Sequence, residues 1–181
     1  MDNAQLIRGL QKDDIFSFEE IYRKYNRKIY SFSLGYLRNK NDAEDVVQEV
    51  FLNLWRKRSD LKVEGNIDSY LFKITYNAIR KHFRKLSRER KYLEDHGKTI
   101  DMIDDSTSTD IEYNNLLEMA DTVISQLSPR QKTIYLLNIR EGLSCEEISK
   151  KMGLSRRTVE NHLYRATSYM KKEFSKNSCK R

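Results

Sequence analysis

LSCEEISKKMGLSRRTVENHLYRATSYMKKEF, residues Leu143 to Phe174 of a 181-residue chain, reads as two helices joined by a tight turn. Ser144 stands three residues before Glu147, the spacing of an S-x-x-E capping box, in which each side chain meets the other residue's free backbone N–H. Ile148 and Met152, four apart, mark the inner face of the first helix. Gly153 supplies the stop, because a residue without a Cβ enters the left-handed region at little cost. Ser155 caps the second helix, along which Val159, Leu163, Ala166 and Met170 recur at spacings of four, three and four and bury one stripe. Its other face carries Arg156, Arg157, Glu160, Asn161, Tyr164 and Arg165. A short helix, a glycine turn and a longer helix with a polar face make a helix-turn-helix, whose second helix lies in the major groove with its N-terminal residues at base edges. An ordinary αα-hairpin shares the turn, but the agreement of both caps with a polar first turn favours the DNA reader.

Upstream, Ser128-Pro129-Arg130-Gln131 gives a cap, a proline at the first helical position and a glutamine at the third, a strong helix start. The helix it opens carries Ile134 and Leu137 and ends near Gly142; Leu116, Ala120, Val123, Ile124 and Leu127 show helical spacing before it. Residues 91–115, KYLEDHGKTIDMIDDSTSTDIEYNN, are acidic, rich in Ser, Thr and Asp, and weakly periodic, which predicts a flexible linker.

The N-terminal half is helical by its spacing as well. Asn3–Leu10 is a short amphipathic helix, and Phe18, Tyr22, Tyr25, Ile29, Phe32 and Tyr36 mark a longer one from about Asp14 to Leu37, with its aromatics in the core. Asn41, with Glu44 as its return partner, is expected to cap a third helix running to about Arg58. That helix has two apolar stripes, Ala43, Val46, Val50 and Leu54 beside Val47, Phe51 and Trp55, so it makes contacts on two sides: one with the core, the other open to a partner. Asp45, Gln48 and Glu49 border the stripes. After a polar loop, SYLFKITYNAIRKHFRKLSRER (69–90) forms a fourth helix. Tyr70, Lys73, Asn77, Arg80 and Arg84 share one of its faces, with Lys81, Lys85 and Arg88 beside them. Lysines and arginines take phosphates, an aromatic ring stacks on exposed bases and an amide pairs with a base edge, so this face suits nucleic acid; a solvated basic helix is the competing reading.

The chain holds 34 Lys and Arg against 27 Asp and Glu, a net charge of +7. Two basic blocks flank the acidic segment, a balance that suits phosphate-rich partners. A single proline and six glycines argue against a turn-rich β fold. Cys145 and Cys179 make neither a disulfide framework nor a metal set, no apolar run has membrane-spanning length, and the N-terminus lacks the apolar core of a secretory signal. A soluble cytoplasmic protein is expected. His82, His96 and His162 are scattered and no glycine-rich phosphate loop is present, so neither an enzyme nor a cofactor or metal site is expected.

These stretches together resemble the sigma factors of bacterial RNA polymerase, of the small extracytoplasmic-function (ECF) type within the sigma-70 family. DAEDVVQEVFLNLW resembles the family's region 2.2, SYLFKITYNAIRKHFRK its regions 2.3 and 2.4, and LSPRQKTIYLLNIREGLSCEEISKKMGLSRRTVENHLYRA its region 4, in the family's order and spacing. The resemblance implies an all-α protein of two small helical domains. Residues 1–90 would be region 2, 91–115 the acidic linker, 116–175 region 4 and 176–181 a basic tail. It implies that Asp45, Gln48 and Glu49 dock on a coiled coil of core polymerase. It gives Tyr70, Lys73, Asn77, Arg80 and Arg84 to recognition and melting of the −10 element, with Asn77 matching a family asparagine. Arg156, Arg157, Asn161, Tyr164 and Arg165 would read the −35 element, and Glu160-Asn161-His162 departs from the more basic sequence common there. The acidic linker is similar to the segment that threads the RNA path. The partners implied are core RNA polymerase, promoter DNA and an anti-sigma factor. The alternative is a LuxR-type helix-turn-helix regulator, which carries an α/β domain in front of a similar reader.

Overall fold

The computed structural model describes residues 2–63, 65–96 and 121–176. Among them are helices α1 (Asn3–Gln11), α2 (Ile15–Leu37), α3 (Lys40–Arg56), α4 (Ile67–Asp95), α5 (121–125), α6 (Pro129–Ile139), α7 (Cys145–Met152) and α8 (Arg156–Lys176), with a 3-10 turn at Arg58–Asp60. No strand occurs among the described residues, so the all-α expectation holds and the α/β front domain of the LuxR alternative has no counterpart there. Of the acidic segment, 91–95 are the end of α4, which runs past the expected Arg90, and 97–115 lie outside the described residues. The basic tail lies outside them beyond Lys176.

The chain divides into two compact units, residues 1–78 with 171–181, and residues 79–170. In the first, α1 packs on α2 and α2 on α3. Asp14 caps α2 by accepting from the N–H groups of Phe16 and Ser17, at 3.2 and 3.1 Å. Gly9 allows α1 to approach α2 closely, since a Cβ there would stand 1.9 Å from Ser17 Oγ. The core is made of Leu10, Ile21, Ile29, Leu34, Ala43, Val50, Leu54 and Leu71, all fully buried, as the helical spacing requires.

Three expectations are corrected. The cap of α3 is Asn39, whose side chain accepts from Asp42 N–H at 3.0 Å, rather than Asn41. Asn39 and Asn41 each precede an acidic residue by three positions, and the chain uses the earlier one. The second stripe of α3 is not left for a partner: Phe51 and Trp55 meet Phe18 edge-on, at centroid distances of 6.0 and 5.3 Å, and Phe51 meets Tyr22 at 4.6 Å. Nor are all the α2 aromatics core. Tyr25 is fully buried, whereas Tyr22 is 43% exposed.

The start of α4 is tied to α2 by charge. Lys28 Nζ lies 3.1 Å from Asp68, and Tyr25 donates its hydroxyl to the same carboxylate at 3.2 Å. The Lys28 and Asp68 side chains are only 6% and 17% exposed, so each relieves the desolvation the other would suffer alone.

In the second unit Ile134, Leu137, Ile148 and Val159 form a core flanked by Leu143, Cys145, Met152, Leu154 and Leu163. Ile148 is fully enclosed, and its truncation to alanine would cost about 2–5 kcal/mol. Asn138 Nδ2 donates to Leu143 O at 2.8 Å and holds the turn between α6 and α7. In that turn Gly142 adopts φ +67°.

Candidate nucleic-acid and polymerase interfaces

The reader helix α8 is placed by two helix starts and one stop. Ser144 Oγ accepts from Glu147 N–H at 3.2 Å while the Glu147 carboxylate accepts from Ser144 N–H at 2.7 Å, the reciprocal pair the sequence predicts. Hydrogen bonds from the Ser144 hydroxyl and backbone hold the Glu147 carboxyl below its ordinary pKa. Gly153 closes α7 at φ +63°, and Ser155 caps α8 by accepting from Thr158 N–H at 3.1 Å. Val159, Ala166 and Met170 are buried beneath the helix and Leu163 partly so. Arg156, Arg157, Glu160, Asn161, Tyr164 and Arg165 are all exposed, Tyr164 at 75%. Arg156 Nε donates to Glu160 at 2.8 Å, and this bond raises the Arg156 pKa. Glu160 therefore takes up part of the positive charge at the helix entrance and aims Arg156 along the helix. Arg157 and Arg165, exposed beside it, present donors to a phosphate or base edge together with the N–H groups of the first turn.

The α4 face is split. Lys73 and Asn77 are exposed, as the spacing predicts. Tyr70 is half-buried; its hydroxyl is enclosed without a hydrogen-bond partner, and burial, with Asp60 nearby, raises its pKa. Arg80 Nε donates to Asn138 O at 2.9 Å. Arg84 donates through Nε and Nη2 to Gly142 O at 3.2 and 2.8 Å. The two arginines thus cap carbonyls at the C-terminal end of α6, where cations are favoured. Helical spacing brought these side chains onto one face, but it carried no sign of the carbonyls that receive them.

On α3, Asp45 and Gln48 are exposed and Glu49 is half-buried. Leu52, four residues beyond Gln48 on the same face, is 53% exposed, and the sequence reading missed it. Its signal was available: it is a large apolar residue that belongs to neither stripe of α3. On α2, Ile15, Phe16 and Tyr22 are also exposed, and Phe18, Glu19, Tyr22, Arg23 and Asn26 line an open hollow. An apolar surface with acidic and amide groups beside it has the composition of a protein interface rather than a phosphate site.

Among the described residues no group of His, Cys, Asp and Glu could hold a metal ion, and no helix is long and apolar enough to cross a membrane.

Comparison with known proteins identifies the family. Residues 21–89 match the family model for sigma-70 region 2, and residues 117–168 that for sigma-70 region 4. The chain is similar to the RNA polymerase sigma-H factor of Pseudomonas aeruginosa, with 24% identity over 172 residues, covering 91% of this chain and 89% of that one. It is similar to the ECF RNA polymerase sigma-E factor of Haemophilus influenzae, 25% identical over 175 residues and covering 92% of each. Among solved structures it is similar to the sigma factor RpoE in complex with the anti-sigma factor NepR from Bartonella quintana, at 20% identity and TM-score 0.43, covering 88% of this chain and 96% of that one. The two family matches, in this order and together spanning most of the chain, make it a member of the sigma-70 family, an ECF sigma factor that joins RNA polymerase and directs it to promoters to initiate transcription.

Proposed function

We propose that the two units divide promoter reading between them, region 2 melting and reading the −10 element through α4 and region 4 reading the −35 element through α8. The observation that carries this is the contrast in exposed side chains: α8 offers Arg157, Asn161, Tyr164 and Arg165 on a helix shaped for a duplex groove, whereas α4 offers Lys73 and Asn77 on a helix with no such turn. Asn161 suits bidentate pairing with adenine in a duplex. Asn77 suits an unstacked base, whose edge a melted strand exposes. Tyr70, Arg80 and Arg84 join the −10 face once their present contacts are given up, and Arg156 joins the −35 face beside Arg157. We take 1–90 and 116–175 as the two domains, 91–115 as linker and 176–181 as tail; the matches at 21–89 and 117–168 support the two domains, while α4 runs on to Asp95 and α8 to Lys176.

Core polymerase docks on α3 through Asp45, Gln48 and Glu49, and Leu52 supplies the apolar centre of that contact. Replacing Gln48 and Leu52 together by alanine weakens core binding by about 2 kcal/mol or more; an unchanged affinity removes this face from the assignment. The protein acts by binding alone, in the cytoplasm, without catalysis or cofactor, and an anti-sigma factor of the kind the ECF branch uses holds it inactive. The deciding experiment is transcription in vitro with purified core polymerase on fragmented genomic DNA, followed by mapping of transcript 5′ ends. Start sites sharing two upstream elements at a fixed separation support the reading, and start sites with no shared elements refute it.

A further inference from the structure

Helix α1 ends in a Schellman turn: Asp14 N–H donates to Gly9 O and Asp13 N–H to Leu10 O, both at 3.0 Å. The motif puts Asp13 in the left-handed region, at φ 61°. Glycine suits that position best, with asparagine and aspartate next. Here the side chain has a use. The Asp13 carboxylate accepts from Arg58 Nε, and this bond holds the Asp13 carboxyl below its ordinary pKa. Helix α3 holds Arg58 as well. Its guanidinium carbon lies 4.4 Å from the Trp55 ring centroid, its Nη1 donates to Trp55 O at 2.8 Å, and Trp55 packs on Phe18. Two residues before Asp13, Gln11 Nε2 donates to Leu61 O at 2.6 Å. The end of α1 therefore holds the 3-10 turn Arg58–Asp60 on both sides, at Arg58 and just past Asp60.

That turn leads straight to the face given to the −10 element. Gly65 N–H donates to Lys62 O at 2.8 Å, which closes the loop tightly, and the Asn66 side chain accepts from Ser69 N–H at 2.9 Å, which caps α4. Lys62, Gly65 and Asn66 are exposed. Asp60, within the held turn, is a charged neighbour of Tyr70, the first residue of the face that continues through Lys73 and Asn77. Stability alone is a weak account of the contacts from α1. The Asp13 side chain is 64% exposed, and an ion pair so open to water adds little to folding. What such contacts do supply is geometry.

We propose that Gln11 and Asp13 are positioning residues for −10 recognition, presetting through Leu61 and Arg58 the loop that enters α4 and the place of Tyr70 beside Lys73 and Asn77. This rests on the reading of α4 given above. A loop already held need not be ordered when a DNA strand arrives, so less of the binding free energy is lost to ordering it. Gln11 and Asp13 act through the turn and not on the DNA.

Holoenzyme binding to a promoter library tests this, the library being built on a start site mapped as described above, with each base of both elements varied. Asp13→Gly keeps the left-handed backbone and removes the carboxylate. This variant and Gln11→Ala are each expected to reduce the −10 base preference about threefold or more, the scale of one hydrogen bond, with the −35 preference and the affinity for core polymerase unchanged. Asp13→Asn, which keeps an acceptor for Arg58 on a residue that tolerates the left-handed region, is expected to restore most of the preference. Asp13→Gly combined with Arg58→Ala is expected to cost no more than the larger single effect, since both changes remove the same bond. An unchanged −10 preference in Asp13→Gly and Gln11→Ala overturns the proposal. So does a loss shared equally by the two elements, which marks general destabilisation. Asn77→Ala in the same library separates this from the reading beneath it. If Asn77→Ala loosens the −10 preference and the α1 variants do not, the positioning role alone fails. If Asn77→Ala leaves that preference intact, the reading of α4 fails and the positioning role with it.

Discussion

The two candidate DNA faces differ in how much of their chemistry the fold already uses. On α8 every candidate side chain is exposed, and the one internal bond, Arg156 to Glu160, runs along the helix surface. On α4 the ring of Tyr70 is half-buried, and Arg80 and Arg84 donate to backbone carbonyls. Both faces follow the same helical spacing, so spacing identifies a face without telling which of its groups are committed elsewhere. The difference suits the division of labour proposed: a reader of intact duplex can stand ready in the free protein, whereas a helix that opens DNA benefits from keeping its cations occupied until DNA arrives.

The strongest challenge to that contrast is Gly142→Val. It places a β-branched residue at φ +67° and a Cβ that would stand 2.5 Å from the Arg84 side chain, so it should lower unfolding stability by about 3 kcal/mol. Urea denaturation measures this, and a stability close to wild type would mean that Arg84 is not seated on this turn. Asn161→Ala should cost about 1–3 kcal/mol in binding a −35 duplex and relax preference at one position, leaving the melting temperature unchanged. Its counterpart Asn77→Ala should relax preference at the −10 element alone. A promoter library with each base varied resolves the two, and crossed effects would reverse the assignment of readers.

A finer comparison separates cations used once from cations used twice. Lys73→Ala should reduce the salt slope of holoenzyme binding by about one unit and leave the free chain's stability alone. Arg84→Ala should reduce the slope similarly and also destabilise the free chain, by about 1–2 kcal/mol for the lost hydrogen bonds to Gly142 O. If Arg84→Ala alters only the slope, its carbonyl seat carries no stability. The smallest effect is acidic. The Glu147 carboxyl has a lowered pKa in the folded chain, so its contribution is whole above pH 4.5, the ordinary glutamate value, and is lost as pH falls through the lowered one. Glu147→Gln should flatten that part of the acid-unfolding profile, and an unchanged profile would remove Glu147 as its source.

Local chemistry was legible in the sequence where one short stretch contained all the partners. Ser144 with Glu147, Gly153 and Ser155 lie within one turn or two of what they cap, and each was found in its expected role. The cap of α3 was misplaced because two asparagines offered the same local pattern. The second stripe of α3 was recognised as a contact surface, but its partner on α2 required knowledge of tertiary packing. The same holds for Arg80 and Arg84, whose partners each lie 58 positions away in the chain. Periodicity records which side of a helix is wet or dry; it does not record which carbonyl or ring waits on a distant element.

The Lys28–Asp68 pair has a practical consequence for chemical labelling. An amine reagent must reach the lysine nitrogen from solvent, and Lys28, 6% exposed and paired with Asp68 at 3.1 Å, is screened from it. Lys73, on the open face of α4, is accessible by contrast. The ratio of modification at these two lysines therefore records whether the Lys28–Asp68 pair stays buried, without any engineered probe.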